Sequence, residues 1–270
     1  MSGLALVKER PSCAIPRIAY QACPLCDSKD FVELATADCS RHALYTPVIP
    51  AKIRWMLCRD CDHVFTDGYF GADHWAELSK KSHPNQLPGY NLEPARMISG
   101  RIVERVASCA KPGKWLDIGF GDGSLLMVAQ EFGFDPIGVD YRAQAVDKLN
   151  DMQIPAMVGD FRQKNIKDCA VISMADVLEH MEFPAEALQD IHSRLKPDGI
   201  LFVSCPNMDT TAWRELTKVH ANPYWIEVEH YHNFTRKRLY RLLRDCGFEP
   251  INYAVSERYR MGMEVIARKA

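Results

Sequence analysis

Apolar residues along this chain follow two rhythms, and from residue 114 onwards the rhythms alternate. Short apolar runs of strand type occupy Lys114–Gly119, Pro136–Asp140, Ala156–Gly159, Ala170–Met174 and Ile200–Cys205. Between them, apolar positions recur at helical spacing over Ser124–Phe132, Ala143–Met152 and Pro184–Leu195, the last stopped by Lys196-Pro-Asp-Gly199. Strands separated by helices of about ten residues are βαβ units, and such units build a parallel sheet. Upstream, Ile98, Ile102, Val103 and Val106 share one face, and Pro112-Gly113 ends the segment, so 92–110 reads as a helix. Downstream, Arg236–Cys246 reads as a helix ending at Gly247. Phe248–Ser256 and Met261–Ala267 then read as two strands joined by a charged turn, an antiparallel hairpin that finishes the sheet.

The first ninety residues have another texture. Residues 1–20 hold two prolines and no clear period, and 71–90 read as a short helix followed by a loop. No internal repeat or low-complexity segment interrupts the chain. Its 270 residues suit one large domain, or one medium domain with a small appendage. Hydrophobic residues are 47% and the formal net charge is -2, so no global pull on nucleic acid or anionic membrane is expected. No apolar stretch approaches the ~20 residues that span a bilayer, and the four-residue apolar run at the N-terminus is too short for a signal peptide. A cytoplasmic protein is expected.

The first strand ends in Asp117-Ile-Gly119-Phe-Gly121-Asp122-Gly123, which opens a helix. Glycines there permit a sharp turn and close approach of a ligand to the main chain. A dinucleotide site wants Gly-x-Gly-x-x-Gly with a pyrophosphate on the helix N-terminus. Here the third glycine position is Ser124, and Asp117 and Asp122 flank the turn. Carboxylates there repel a pyrophosphate and suit a cofactor with a cationic head. S-adenosylmethionine, with its sulfonium and ammonium, meets that description.

These residues resemble the first motif of class I S-adenosylmethionine-dependent methyltransferases, and the resemblance extends over 90–270. It implies a Rossmann-like α/β fold, a seven-stranded, mostly parallel sheet with an antiparallel last strand. It also implies cofactor contacts. Asp140, at the end of the second strand, would accept the ribose hydroxyls. Asp160 would accept the adenine amino hydrogen, with Phe161 beside the ring. Ala175 and Asp176 would leave the fourth strand next to the sulfonium. Gly119, Gly121, Asp117, Tyr90 and Tyr141 complete the expected cofactor set.

Four of ten cysteines form two Cys-x-x-Cys pairs, Cys23/Cys26 and Cys58/Cys61, with 31 residues between them. Two such knuckles supply four thiolates, the donor set of a closed structural zinc site. A redox Cys-x-x-Cys would open a helix in a βαβ setting, which neither pair does. Cys39, His42 and His63 rank below the pairs as ligands. Residues 1–70 hold eight Lys/Arg and eight Asp/Glu, a poor balance for phosphate binding, so a lid or protein-docking role is expected rather than nucleic-acid binding. The arrangement resembles bacterial methyltransferases with an N-terminal zinc ribbon, some of them acting on sugars. The expected division is a zinc ribbon over 1–70, a helical connector or lid over 71–112, and the cofactor-binding domain over 113–270.

Methyl transfer needs alignment above all, and a hydroxyl or carbon acceptor also needs a base. Asp176-Val-Leu-Glu179-His180 follows the fourth strand, where ligand sites of parallel sheets lie. If the segment is a helical turn, its acids and histidine share a face. His180 is the leading base candidate, with Glu179 beside it; a purely structural histidine is the competing reading. A second cluster, His220 to Phe234, is rich in aromatic and ionisable groups and adds His230 and His232 as candidates. The acid-acid-His pattern with a later His also resembles ubiquinone-pathway O-methyltransferases and metal-assisted small-RNA 2′-O-methyltransferases, although Asp176 stands where the RNA enzymes have Glu. The basic run Arg236–Arg244 reads as a solvated helix face. The expected function is methyl transfer to a small-molecule acceptor, a sugar, lipid intermediate or secondary metabolite. The rivals are a zinc-ribbon adaptor on a non-catalytic scaffold, a metal-assisted RNA 2′-O-methyltransferase, and a nicotinamide oxidoreductase, the last opposed by Asp122 and Ser124.

Overall fold

The computed structural model of the chain describes residues 15–71, 86–259 and 261–270. The helix and loop expected over 71–90 lie mostly outside these residues. The C-terminal two-thirds forms a seven-stranded sheet from β6 (Lys114–Ile118), β7 (Asp135–Asp140), β8 (Ala156–Val158), β9 (Cys169–Ala175), β10 (Leu195–Pro206), β12 (Phe248–Val255) and β13 (Gly262–Lys269). Their order is β12-β13-β10-β9-β6-β7-β8. All neighbours from β8 to β10 pair parallel, and only β13 runs against the rest. This is the Rossmann-like sheet with a reversed final strand that the resemblance implied, and the closing hairpin agrees with the apolar pattern.

Helices α1 (Leu92–Ala107), α2 (Ser124–Glu131), α3 (Ala143–Asp151), α4 (Pro184–Arg194), α5 (Thr211–Lys218) and α6 (Arg236–Asp245) accompany the sheet. Two apolar cores form on its two faces. One holds Leu116, Ile118, Ile172 and Val203 with Leu188, Ile191 and Leu242 from α4 and α6. The other holds Trp115, Val171 and Phe202 with Ile102, Val103, Leu126 and Leu149 from α1, α2 and α3. Successive strand residues point to opposite faces, so β6 feeds Trp115 to one core and Leu116 to the other. A sheet covered on both faces needs near-continuous apolar strands, which is why these five runs were legible.

The N-terminal part contains β1 (Ile18–Ala19), β2 (Phe31–Asp38), β3 (Lys52–Cys58), β4 (Val64–Thr66) and β5 (Gly68–Tyr69). The strands β2, β3 and β4 form an antiparallel sheet whose fourth strand is β11 (His232–Asn233), contributed by the C-terminal part. The sheet thus crosses the boundary expected near residue 70. Its core joins Ile53, Trp55, Val64 and Phe70 to Val228 and Tyr231. No helix among the described residues is long and apolar enough to cross a membrane.

Candidate active site

The turn after β6 explains its own glycines. Gly119, Gly121 and Gly123 have φ of 66°, 59° and 71°, the left-handed region that costs an L side chain about 1–2 kcal/mol. A Cβ on Gly119 would stand 2.8 Å from Val177 Cγ2, and one on Gly123 2.7 Å from Leu149 Cδ1. Gly121 differs: the nearest atom to its Cβ position is Arg258 Nη2 at 4.0 Å, so this glycine borders open space. Asp122 Oδ1 accepts from the Ser124 amide at 3.0 Å and hydroxyl at 2.7 Å and so starts α2. The acid whose charge argued against a pyrophosphate thus also ties down the first residue of the helix.

Asp117 lies beneath the turn, 2% exposed. Ser173 Oγ accepts from Trp115 Nε1 at 2.9 Å and donates to Asp117 Oδ1 at 2.6 Å. Burial pushes the Asp117 carboxyl up to about 7, against the pull of that hydrogen bond.

In front of the turn opens a cleft of 810 Å³ at the C-terminal ends of β6, β7 and β9. Gly119, Gly121, Asp140, Tyr141, Phe161, Ala175 and Asp176 line it, together with Glu179, His180 and His230. Tyr90, Asp117, Asp160 and His232 do not. Tyr90 is 51% exposed ahead of α1. Asp160 is gripped by Arg162 Nε at 2.9 Å and caps a short 3-10 turn. Asp140 is held by Arg142, whose Nε donates to Oδ1 at 2.9 Å and Nη2 to Oδ2 at 2.8 Å; Nη2 also reaches Gly121 O at 3.1 Å. Asp140 therefore meets a ligand with part of its hydrogen-bonding capacity already used. Arg142 and Arg258 are cleft residues that sequence reasoning did not single out.

Asp176 has φ of 58°, strained for a residue other than glycine. Its backbone and Oδ1 are fixed by Ser204, while Oδ2 is buried without a hydrogen bond among the described residues. Leu178–His180 then forms a single 3-10 turn rather than the α-helical turn expected, and it still brings Glu179 and His180 to the cleft. The His180 ring stands edge-on to the His230 ring at 4.6 Å between centroids. His180 Nδ1 lies 3.1 Å from Glu229 O. A carbonyl only accepts, so Nδ1 carries the proton and the neutral ring has its basic lone pair at Nε2. Burial lowers the basicity of His230 well below the usual histidine range and raises the Glu179 carboxyl well above the carboxylate range, with Asp176 adding to the latter. The ligand atoms of Glu179, His180 and His230 lie within 4.8 Å of one another.

The N-terminal part reaches the same cleft through His42, Ala43 and Leu44. His42 Nε2 pairs with Glu227 at 2.9 Å, and that hydrogen bond raises its basicity. Trp55 Nε1 donates to Trp225 O at 2.9 Å, and the Thr66 amide donates to Tyr231 O at 2.9 Å. The Tyr231 amide in turn donates to Glu179 O at 2.8 Å. Deeper still, His63 Nε2 and His232 Nδ1 are 3.0 Å apart, and His232 Nε2 is 2.8 Å from Met181 O. The carbonyl fixes the tautomer: His232 donates to Met181 and accepts from His63. His232 thus splices the two parts together behind the cleft.

At the far end of the N-terminal part, Cys23, Cys26, Cys58 and Cys61 bring their sulfurs within 4.8 Å of one another. Cys23 and Cys61 are 3.7 Å apart, and Cys26 and Cys58 3.6 Å. A tetrahedral ion with metal–sulfur bonds of about 2.3 Å needs edges of about 3.8 Å. Asp27 and Asp62, the residues after each pair, share φ of 58° and 60°, so the two knuckles repeat one conformation. Cys39 bonds instead to Ala51 O, and His42 and His63 have the partners given above. The four cysteines are thus a donor set that fits a tetrahedral ion.

A family model described as "Methyltransferase domain" matches residues 92–253. The chain belongs to this methyltransferase family. Ubiquinone biosynthesis O-methyltransferase of Actinobacillus pleuropneumoniae serotype 7 (strain AP76) is 29% identical over 139 residues, 47% of this chain and 58% of that protein. The chain spans little more than half the length of such curated relatives. Among solved structures, magnesium protoporphyrin IX methyltransferase from Synechocystis PCC 6803 with bound SAH superposes with a TM-score of 0.53, at 18% identity over 66% of this chain and 85% of that one. A SAM-dependent methyltransferase from Archaeoglobus fulgidus gives 0.52 at 17% identity, over 65% and 94%. At such identities the likeness concerns the fold, which is that of the class I methyltransferases.

Proposed function

We propose that this methyltransferase carries the methyl group of S-adenosylmethionine to a small-molecule acceptor bearing a hydroxyl or an acidic carbon. The observation that carries the reading is one cleft in which the glycine turn and the His180–His230–Glu179 cluster face each other. The cofactor supplies the electrophilic methyl group. The turn at Gly119–Gly121 admits its amino-acid end, and Asp140, Tyr141 and Phe161 receive the nucleoside. The buried walls hold the acceptor in line and exclude water. His180 removes the acceptor proton at Nε2. The neutral, buried His230 keeps a second positive charge away from that nitrogen.

The N-terminal part acts as the wall of the acceptor half. Four cysteines hold a structural zinc ion, and the strand pair β4–β11 carries that rigidity to His230. His42 and Glu227 close the same side. This favours the lid role of the ribbon over a docking role.

The test supplies the full chain with methyl-labelled S-adenosylmethionine and a small-molecule cell extract. Label should enter the low-mass fraction. His180→Ala should lower the rate by about 10²- to 10⁴-fold with S-adenosylhomocysteine affinity retained. Label found only on macromolecules, or a His180→Ala rate equal to wild type, would overturn the reading.

A second reading places a divalent cation on Glu179, His180 and His230, and is favoured by the convergence of their ligand atoms. Bound there, the ion would polarise the acceptor hydroxyl. Metal analysis of protein purified without chelator separates the two. One ion per chain supports the histidine base, and two ions support the cation.

A further inference from the structure

The cleft wall carries three arginines, and two are already committed. Arg142 grips Asp140 and Arg162 grips Asp160, each through more than one contact. Arg258 is different. Its only ion pair among the described residues is with Asp176 Oδ2 at 3.7 Å, longer than a hydrogen bond, and its guanidinium makes no hydrogen bond there. The side chain is 26% exposed, so it is held within the cleft and open to it. It also comes from an unexpected place. The turn between β12 and β13 delivers it across the sheet to the glycine turn, where Nη2 stands 4.0 Å from the Cβ position of Gly121.

The methyl donor brings three charges to this end of the cleft: a sulfonium, an ammonium and an α-carboxylate. Asp122 and Asp176 line the cleft beside Arg258 and suit the two cations. The carboxylate, placed among the same acids, would be repelled by each of them. A guanidinium offers the planar pair of donors that a carboxylate accepts, and it remains charged at every physiological pH.

We propose that Arg258 receives the α-carboxylate of S-adenosylmethionine, so that the C-terminal hairpin reads the amino-acid end of the cofactor over Gly121. The assignment rests on the reading of the cleft as a methyl-donor site. It makes Arg258 the residue that distinguishes the intact cofactor from analogues lacking the carboxylate.

Calorimetric titration of wild type and Arg258→Gln with S-adenosylmethionine and with its decarboxylated analogue tests it. Wild type should prefer the intact cofactor by about ten- to hundredfold, the range of a hydrogen bond to a charged group. Arg258→Gln should lose that preference by weakening the intact cofactor alone, while its affinity for the decarboxylated analogue stays within about twofold of wild type. The retained analogue binding shows that the variant is folded. Equal weakening of both ligands, or an unchanged preference in the variant, overturns the assignment of Arg258 and leaves the cleft reading standing. A wild type that binds neither ligand overturns both.

Discussion

Asp117 combines a structural and an electrostatic role in one side chain. Its hydrogen bond to Ser173 fixes the end of β6, and its burial raises its carboxyl to about 7 from an ordinary 3.8. In the folded chain it therefore holds a proton between about pH 4 and 7 that the unfolded chain has released. Stability attributable to Asp117 is complete below pH 3.8 and declines as pH rises through 7, by on the order of 4 kcal/mol. Asp117→Asn keeps the acceptor for Ser173 and cannot ionise. Urea melts of the unliganded proteins should show wild type losing stability relative to Asp117→Asn from pH 4 to 7, with a constant difference above. A difference independent of pH would refute the buried-carboxyl account. At this scale the glycine turn was legible because its residues are contiguous. Arg258 was not, because its place depends on Gly121 and Asp176, which are distant in sequence, and Arg142 was not, because its reach from nearby Asp140 to the distant Gly121 carbonyl has no local pattern.

The strand β11 has two residues, yet it decides how the two parts of the chain meet. His232 and Asn233 pair with Phe65 and Val64, three or four residues beyond Cys61. Tyr231 bridges the Thr66 amide to the Glu179 carbonyl. Removal of the zinc proposed for the four cysteines should therefore loosen the acceptor side and leave the cofactor side intact. Hydrogen exchange of the chelated full chain, or of Cys26→Ser, should rise in 228–234 and 64–66 and stay unchanged in 114–123. Unchanged exchange in 228–234 would contradict the coupling. The βαβ elements were legible because two-sided burial makes their strands uniformly apolar. In β2 no residue is fully buried and Glu33, Leu34, Thr36 and Asp38 are exposed, so Phe31–Asp38 carries no apolar run and was not read as a strand. Nor was α5, whose single buried residue is Trp213. The length of β11 is below anything a periodicity detects; only the aromatic and histidine density of 220–234 marked the segment.

At the scale of the whole molecule, one cleft is built by both parts. The sheet supplies the glycine turn, Asp140 and Asp176, and the hairpin adds Arg258. The segment 223–230 and the loop at His42 supply the opposite wall. A small net charge of -2 hides a local asymmetry, since the cleft is lined by seven acidic residues against three arginines. Calorimetric titration of the full chain with S-adenosylhomocysteine tests the central claim most directly, with Gly121→Asn as the matched variant. Asparagine tolerates the left-handed backbone, so the fold should persist while the side chain enters the cofactor space. One site per wild-type chain is predicted, with affinity at least about tenfold weaker in Gly121→Asn and no heat from NADH. A folded wild type that fails to bind S-adenosylhomocysteine, or a Gly121→Asn variant that binds it equally well, would contradict the account.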